Sequence, residues 1–227
     1  MKPQLLRLGR TQSPVVVIDE FTGTLDKVRK LADELAPFPR IEGNYYPGLR
    51  RFIVEQDLAA HAYAQSVCEQ AAPFVGGAFD VQSFDLQEAS FSLVTTPPDQ
   101  LQPVQKAPHF DVPDQNVLAV LHYLRVPPGS GTAFYRHRAT GIERVTSRNV
   151  GSYVAAAARE LPRVAAAHGY IIGSDDRYEQ IGSVEAVPDR VVIYHASLLH
   201  SGIIPPGMPF SADPREGRLT ANFFLKS

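Results

Sequence analysis

The chain has 227 residues, of which 44 % are hydrophobic and 20 % charged, a composition that supports a buried core and excludes global disorder. Lys and Arg number 22 against 24 Asp and Glu, giving a formal net charge of −2, and so the positive footprint that phosphate binding needs is missing and nucleic acid is not expected as a partner. Its single cysteine, Cys68, excludes intrachain disulfides and cysteine-rich metal sites and points to a reducing compartment.

The first ten residues lack the apolar run of a signal peptide, and no apolar run approaches the roughly 18 residues of a membrane span. A cytoplasmic protein with no membrane partner is expected. Val15 to Ile18 is a β-branched run closed by Asp19 and Glu20, which predicts a buried strand. Thr24 is a plausible N-cap for a helix in which Leu25, Val28, Leu31, Ala32 and Leu35 share one face, until Pro37 and Pro39 end the pattern. Tyr45 to Arg50 reads as an aromatic turn ahead of a strand at Arg51 to Val54, and Leu58 to Ala71 as a second helix. Residues 1–75 are thus expected to be a strand and helix support within one domain spanning 1–227.

Beyond residue 76 the pattern changes to short runs rich in Val, Phe, Tyr and Ile, broken by Pro and Gly, as in an antiparallel sheet. The runs are Ala89 to Thr96, Val117 to Val126, Thr132 to Arg136, Tyr178 to Val187, Val191 to His195 and Leu219 to Leu225. Such a series, mainly β, closes most easily as a barrel or jelly roll. One Ala-rich helical insertion near 148–168, Ser152 to Ala167, interrupts it, and Pro162 predicts a kink or split there. Thr96 to Pro108 and Pro205 to Pro214 are Pro-rich loops of the kind that form lids or binding edges.

Seven histidines are present. His109 and Asp111, two apart, reach the same point if the segment is an extended strand, with Phe110 packed behind. A third ligand must come from elsewhere, and Val191 to Gly202 offers both His195 and His200. Two imidazoles and one carboxylate on one face of an octahedron leave three positions open, the arrangement of non-heme Fe(II) oxygenases. A solvated surface pair is the bland alternative. His122, His137 and His168 are given structural roles, Arg136 to Arg138 a solvated strand end, Tyr45 and Tyr46 an aromatic-packed turn, and Cys68 a buried, inert position.

The order of neighbouring motifs resembles the Fe(II)- and 2-oxoglutarate-dependent oxygenase superfamily, particularly its prolyl-hydroxylase-like branch. The residues that carry the resemblance are Pro108-His109-Phe110-Asp111, Leu121-His122-Tyr123-Leu124, Gly131-Thr132-Ala133-Phe134, Arg190 to Tyr194 leading into Leu199-His200-Ser201-Gly202, and Arg218-Leu219-Thr220, together spanning about 89–225. The resemblance implies a double-stranded β-helix, cupin-like in form, with iron on His109, Asp111 and His200. It also implies a 2-oxoglutarate carboxylate held by Arg218, with Thr220 and Tyr123 as further contacts and His122 turned the other way. The expected activity is an Fe(II)- and 2-oxoglutarate-dependent dioxygenase that uses O₂ to hydroxylate a small molecule or peptide. The alternatives are a non-catalytic jelly-roll binding protein and a cupin-like metal enzyme that does not use 2-oxoglutarate. For Arg218 the competing reading is a surface ion pair with Glu216 or Asp213, and for Thr220 and Tyr123 it is ordinary strand packing. Neither the substrate nor the oligomeric state is legible.

Overall fold

A computed structural model describes residues 2–41, 45–166 and 169–227, and in chain order it contains β1 (Lys2–Leu8), β2 (Ser13–Asp19), α1 (Leu25–Glu34), β3 (Gly48–Phe52), α2 (Leu58–Phe79), β4 (Asp85–Val94), β5 (Val117–Arg125), β6 (Gly131–His137), α3 (Val150–Ala166), β7 (Tyr178–Glu185), β8 (Val191–His195), β9 (His200–Ile203) and β10 (Arg218–Lys226). Seven strands form one antiparallel sheet in the order β1-β2-β8-β5-β10-β4-β3, and three form a second in the order β7-β6-β9. The two sheets face each other as a jelly roll.

Alternation along the strands explains the layering. On β10, Leu219, Ala221, Phe223 and Leu225 face outward into a core closed by Val28 and Ala32 of α1 and by Ala60, Tyr63, Ala64, Val67, Ala71 and Val75 of α2. The intervening Phe224 turns inward and joins Val17, Leu121, Tyr123 and Tyr194 of the large sheet against Phe134 and Val184 of the small one. Apolar residues outside and a mixed set inside leave the barrel lumen free to hold polar chemistry. On the outer side of the small sheet, Tyr153 of α3 packs with Tyr135, Tyr178 and Leu199.

Several expectations are corrected. The N-terminal part is woven into the large sheet, because β1, β2 and β3 are three of its seven strands. Position 75 lies inside α2, which runs through Pro73 to Phe79 rather than ending at Ala71. Strand β1 was missed because Lys2–Leu8 is largely exposed and shows no clean alternation. Helix α3 is not split at Pro162, which lies inside a single helix. Arg136 and His137 are not a solvated strand end. Arg136 is buried between Glu143 and Glu179, and His137 meets Thr140 and Glu160. Cys68 is half-buried, with burial raising its thiol to about 11, which keeps it protonated. His168 lies outside the described residues. Among the described residues no helix is long and apolar enough to cross a membrane.

Candidate metal centre

The segment carrying His109 and Asp111 is not an extended strand. It lies against the turn between β8 and β9. His109 and His200 exchange backbone hydrogen bonds of 2.9 and 2.8 Å as an isolated bridge, and the Asp111 N–H donates to the Ala196 carbonyl at 2.8 Å. These bonds aim both side chains the same way without the regular pleat that the spacing suggested. Behind them Phe110 meets the Tyr153 ring edge-on at 5.8 Å.

His109, Asp111 and His200 come together, with one ligand atom from each lying within 4.8 Å of the others. His109 Nε2 is 3.8 Å from Asp111 Oδ1, and His200 Nε2 is 3.8 Å from Asp111 Oδ2. A single ion with bonds of about 2 Å needs its ligands about 3 to 4 Å apart, so small side-chain rotations complete the set. Two further observations fit a cation. Asp111 Oδ2 is buried without a hydrogen-bond partner. His200 Nδ1 donates to the Leu198 carbonyl at 2.8 Å, which fixes the tautomer and leaves the Nε2 lone pair facing Asp111. Burial raises Asp111 to about 6, against the opposing pull of the Arg50 charge, and lowers His200 to about 4, so the imidazole stays neutral and the carboxylate is poorly solvated. The His109 side chain is 54 % exposed against 20 % for Asp111 and 7 % for His200, which makes the His109 side the open approach.

His195, the competing third ligand, lies elsewhere. Its ring packs edge-on against Phe79 at 5.2 Å. His122 also faces away from the cluster, on the helix-covered side of β5. Tyr63 donates its hydroxyl hydrogen to His122 Nδ1 at 2.7 Å, and His122 Nε2 donates to Asp189 at 3.0 Å.

Arg218 opens β10 on the lumen side. It is 6 % exposed, and its Nη2 makes one hydrogen bond, 3.3 Å to the Gly131 carbonyl. Its Nε is buried with no partner. The surface ion pair is therefore not formed: Glu216 instead accepts from Ser211 and Asp213 from Arg215. The guanidinium lies 5.9 Å from the Tyr123 ring, and the Tyr123 hydroxyl is hydrogen-bonded to Thr132 at 2.7 Å. Thr220, buried on the same face, accepts from Asn222 at 3.4 Å. A cavity of about 220 Å³ reaches Arg218 and is bounded by Arg125, Met208 and Pro209, so the 205–214 loop forms a wall at this end of the barrel. A buried guanidinium short of acceptors is a site for a carboxylate.

Reasoning from the sequence missed two contributors. Thr132 sat in a quoted motif without a role, since only the paired strands reveal the reach of Tyr123 to it. Arg50 of β3 was assigned to a turn, yet its charge reaches both His109 and Asp111. Gly48–Phe52 shows no alternation in sequence, and only its pairing with β4 reveals the inward face of Arg50.

Comparison with solved structures shows a shared fold at low identity. A prolyl-4-hydroxylase of Pseudomonas putida is 15 % identical, with 96 % of this chain and 95 % of that chain covered and a TM-score of 0.50. The viral collagen prolyl hydroxylase of Paramecium Bursaria Chlorella virus-1, in its 2-oxoglutarate complex, is 10 % identical over 94 % and 95 % of the two chains at a TM-score of 0.52. HygX from Streptomyces hygroscopicus, with nickel and 2-oxoglutarate bound, is 13 % identical over 96 % and 87 % at a TM-score of 0.54. The fold is the one shared by these two prolyl hydroxylases and HygX. No curated protein sequence matches the chain. A family profile, DUF6445, described as a family of unknown function, matches residues 1–225.

Proposed function

The chain belongs to the DUF6445 family, a family of unknown function, and from its site we propose that it is a non-heme Fe(II)- and 2-oxoglutarate-dependent oxygenase that hydroxylates a small molecule or peptide. The observation that carries this reading is the buried Arg218 guanidinium, short of a partner, in a barrel whose lumen also holds the His109, Asp111 and His200 cluster. A metal site alone fits many reactions. The metal site together with a buried cationic anchor fits a chelating dicarboxylate. The carboxylate of Asp111 favours hydroxylation over halogenation, which needs that coordination position for halide.

In this reading His109, Asp111 and His200 hold Fe(II) through Nε2, a carboxylate oxygen and Nε2. Bound there, the metal and 2-oxoglutarate would supply O₂-dependent oxidation of a substrate C–H bond, with succinate and CO₂ as the co-products. The protein's part is placement. Arg218 orients the distal carboxylate, Thr220 and the Tyr123–Thr132 hydroxyl pair flank it, and Leu198 holds His200 in the ligating tautomer. The Tyr123 ring, 5.9 Å from the guanidinium, shields one side of the anchor from water. We place the enzyme in the cytoplasm, where a lone cysteine stays reduced.

The test is anaerobic loading with Fe(II) and 2-oxoglutarate, then exposure to O₂ with succinate measured. Slow succinate formation without substrate, abolished in Asp111→Ala, is expected. Metal loading without 2-oxoglutarate binding overturns the reading in favour of a cupin-like enzyme of another kind.

A further inference from the structure

Between the metal cluster and the β3 edge, the lumen wall is polar. Arg50 pairs across the sheet with Ser92, whereas Leu49 turns to the helix-covered core, so alternation puts Arg50 inside the barrel. Its Nη2 donates to Glu88 at 2.9 Å and to Ser90 at 3.0 Å. Its Nε is buried with no partner. The guanidinium lies 5.4 Å from the Phe52 ring and 6.0 Å from that of Tyr46. Next to it Ser90 and Ser92 are fully buried, and Asn222 donates to Ser92 at 2.9 Å. The charges of Arg50 and Glu88 both reach Asp111. Buried polar groups facing a lumen are costly unless something hydrogen-bonds them, and this half-buried ion pair lines the same lumen as the metal cluster.

Charge selects the visitor. With Fe(II) and the 2-oxoglutarate dianion in place and both imidazoles neutral, the ion, Arg50 and Arg218 are matched by Asp111, Glu88 and the dianion. The loaded site is therefore neutral. A net anion or cation would leave an uncompensated charge there, whereas a zwitterion meets a ready pair of opposite charges. A residue within a peptide chain offers only neutral amides to the same pair.

We propose that Arg50 and Glu88 form the substrate subsite and that it takes the charged head group of a free α-amino acid, its carboxylate on Arg50 and its ammonium on Glu88. This rests on the oxygenase reading above and narrows its substrate class. Asn222, Ser92 and Ser90 continue the polar wall away from the ion pair.

The test is calorimetry on the intact protein loaded with Ni(II) and 2-oxoglutarate, titrated with each of the common free amino acids and then with N-acetyl and carboxamide derivatives of those that bind. At least one free amino acid should bind with a Kd below about 1 mM, and blocking either end should weaken it at least about tenfold, roughly one 1.4 kcal/mol step. Arg50→Gln and Glu88→Gln should each weaken it by a similar factor. The derivatives on unaltered protein keep the test independent of how those variants fold. If Ni(II) and 2-oxoglutarate load but no free amino acid binds, or the blocked derivatives bind equally well, the proposal falls while the oxygenase reading stands. Failure of Ni(II) and 2-oxoglutarate to load overturns both.

Discussion

At the scale of single residues, a few side chains differ sharply in what their loss should do. Asp111 is the counter-charge for the cluster, and its Oδ2 has no other partner. Asp111→Asn should cut metal affinity by on the order of 100-fold or more, given that even indirect supports of a ligand cost 10- to 100-fold. His195→Ala should leave that affinity within about twofold, because its ring lies against Phe79 and not in the cluster. Metal titration by calorimetry separates the two, and equal losses would remove the reason for choosing His200 over His195. Arg218→Gln should weaken 2-oxoglutarate binding by about 10- to 100-fold with metal affinity retained, since it removes a charge-assisted anchor. Equilibrium binding of 2-oxoglutarate to metal-loaded protein reads this directly. The residue types and their order in the chain were legible from sequence alone. The opposite facing of His122 and Tyr123 on β5 was also legible and is found, whereas the irregular path of Pro108 to Pro113, which replaces the strand that the His109–Asp111 spacing suggested, was not.

At the scale of elements, the connections between strands hold the site in register. Asp189 follows β7 and gathers the chain end of β2. Its carboxylate accepts from the Thr22 N–H at 3.1 Å, the Thr22 hydroxyl at 2.7 Å, the Gly23 N–H at 2.9 Å and His122 Nε2. Burial would raise this carboxyl, but hydrogen bonds from His122, Thr22 and Gly23 outweigh it and hold the group well below the usual carboxylate range. The folded pKa is thus depressed below an unfolded value of about 3.9, so its contribution is complete above about pH 5 and is lost as pH falls toward the folded value. Asp189→Asn should cost about 2 to 4 kcal/mol at pH 7 and flatten the stability curve between about pH 5 and 2. Denaturant unfolding at several pH values checks it, and a variant that keeps the full acid dependence would contradict the assignment. Gly48 plays a steric part at the start of β3. A Cβ there would stand 1.8 Å from the Leu93 carbonyl oxygen, a backbone atom that cannot give way cheaply. Gly48→Ala should therefore lower the thermal midpoint measurably and displace the strand that carries Arg50. Elements with strong periodicity, such as α1 and β5, were readable from the chain. Those set by long-range pairing were not: β1 is exposed and needs β2 as a template, and α2 outlasts the Ala71 at which its apolar face seemed to end because Val75 still packs on the sheet.

At the scale of the whole molecule, the fold places a partly polar lumen inside a shell that is apolar on both its covered faces, and the functional reading follows from that contrast. Binding to the folded state alone stabilises it by about 2.7 kcal/mol at 100 times Kd. Saturation with metal and 2-oxoglutarate together should therefore raise the thermal midpoint by about 10 to 20 °C in a chain of this size. Neither ligand should do so in the Arg218→Gln and His200→Ala double variant. A jelly roll was legible because its strands are short, apolar and punctuated, but the placing of residues 1–75 within it was not, since pairing of β3 with β4 and of β2 with β8 joins segments distant in sequence. The most direct measurement is a crystal of the protein soaked with Mn(II) and 2-oxoglutarate, examined for anomalous scattering. One peak about 2 Å from His109 Nε2, an Asp111 oxygen and His200 Nε2, with a carboxylate of the dicarboxylate on Arg218, is the predicted result. A fully soaked crystal with no peak among those three side chains, or with the metal held elsewhere, would contradict it.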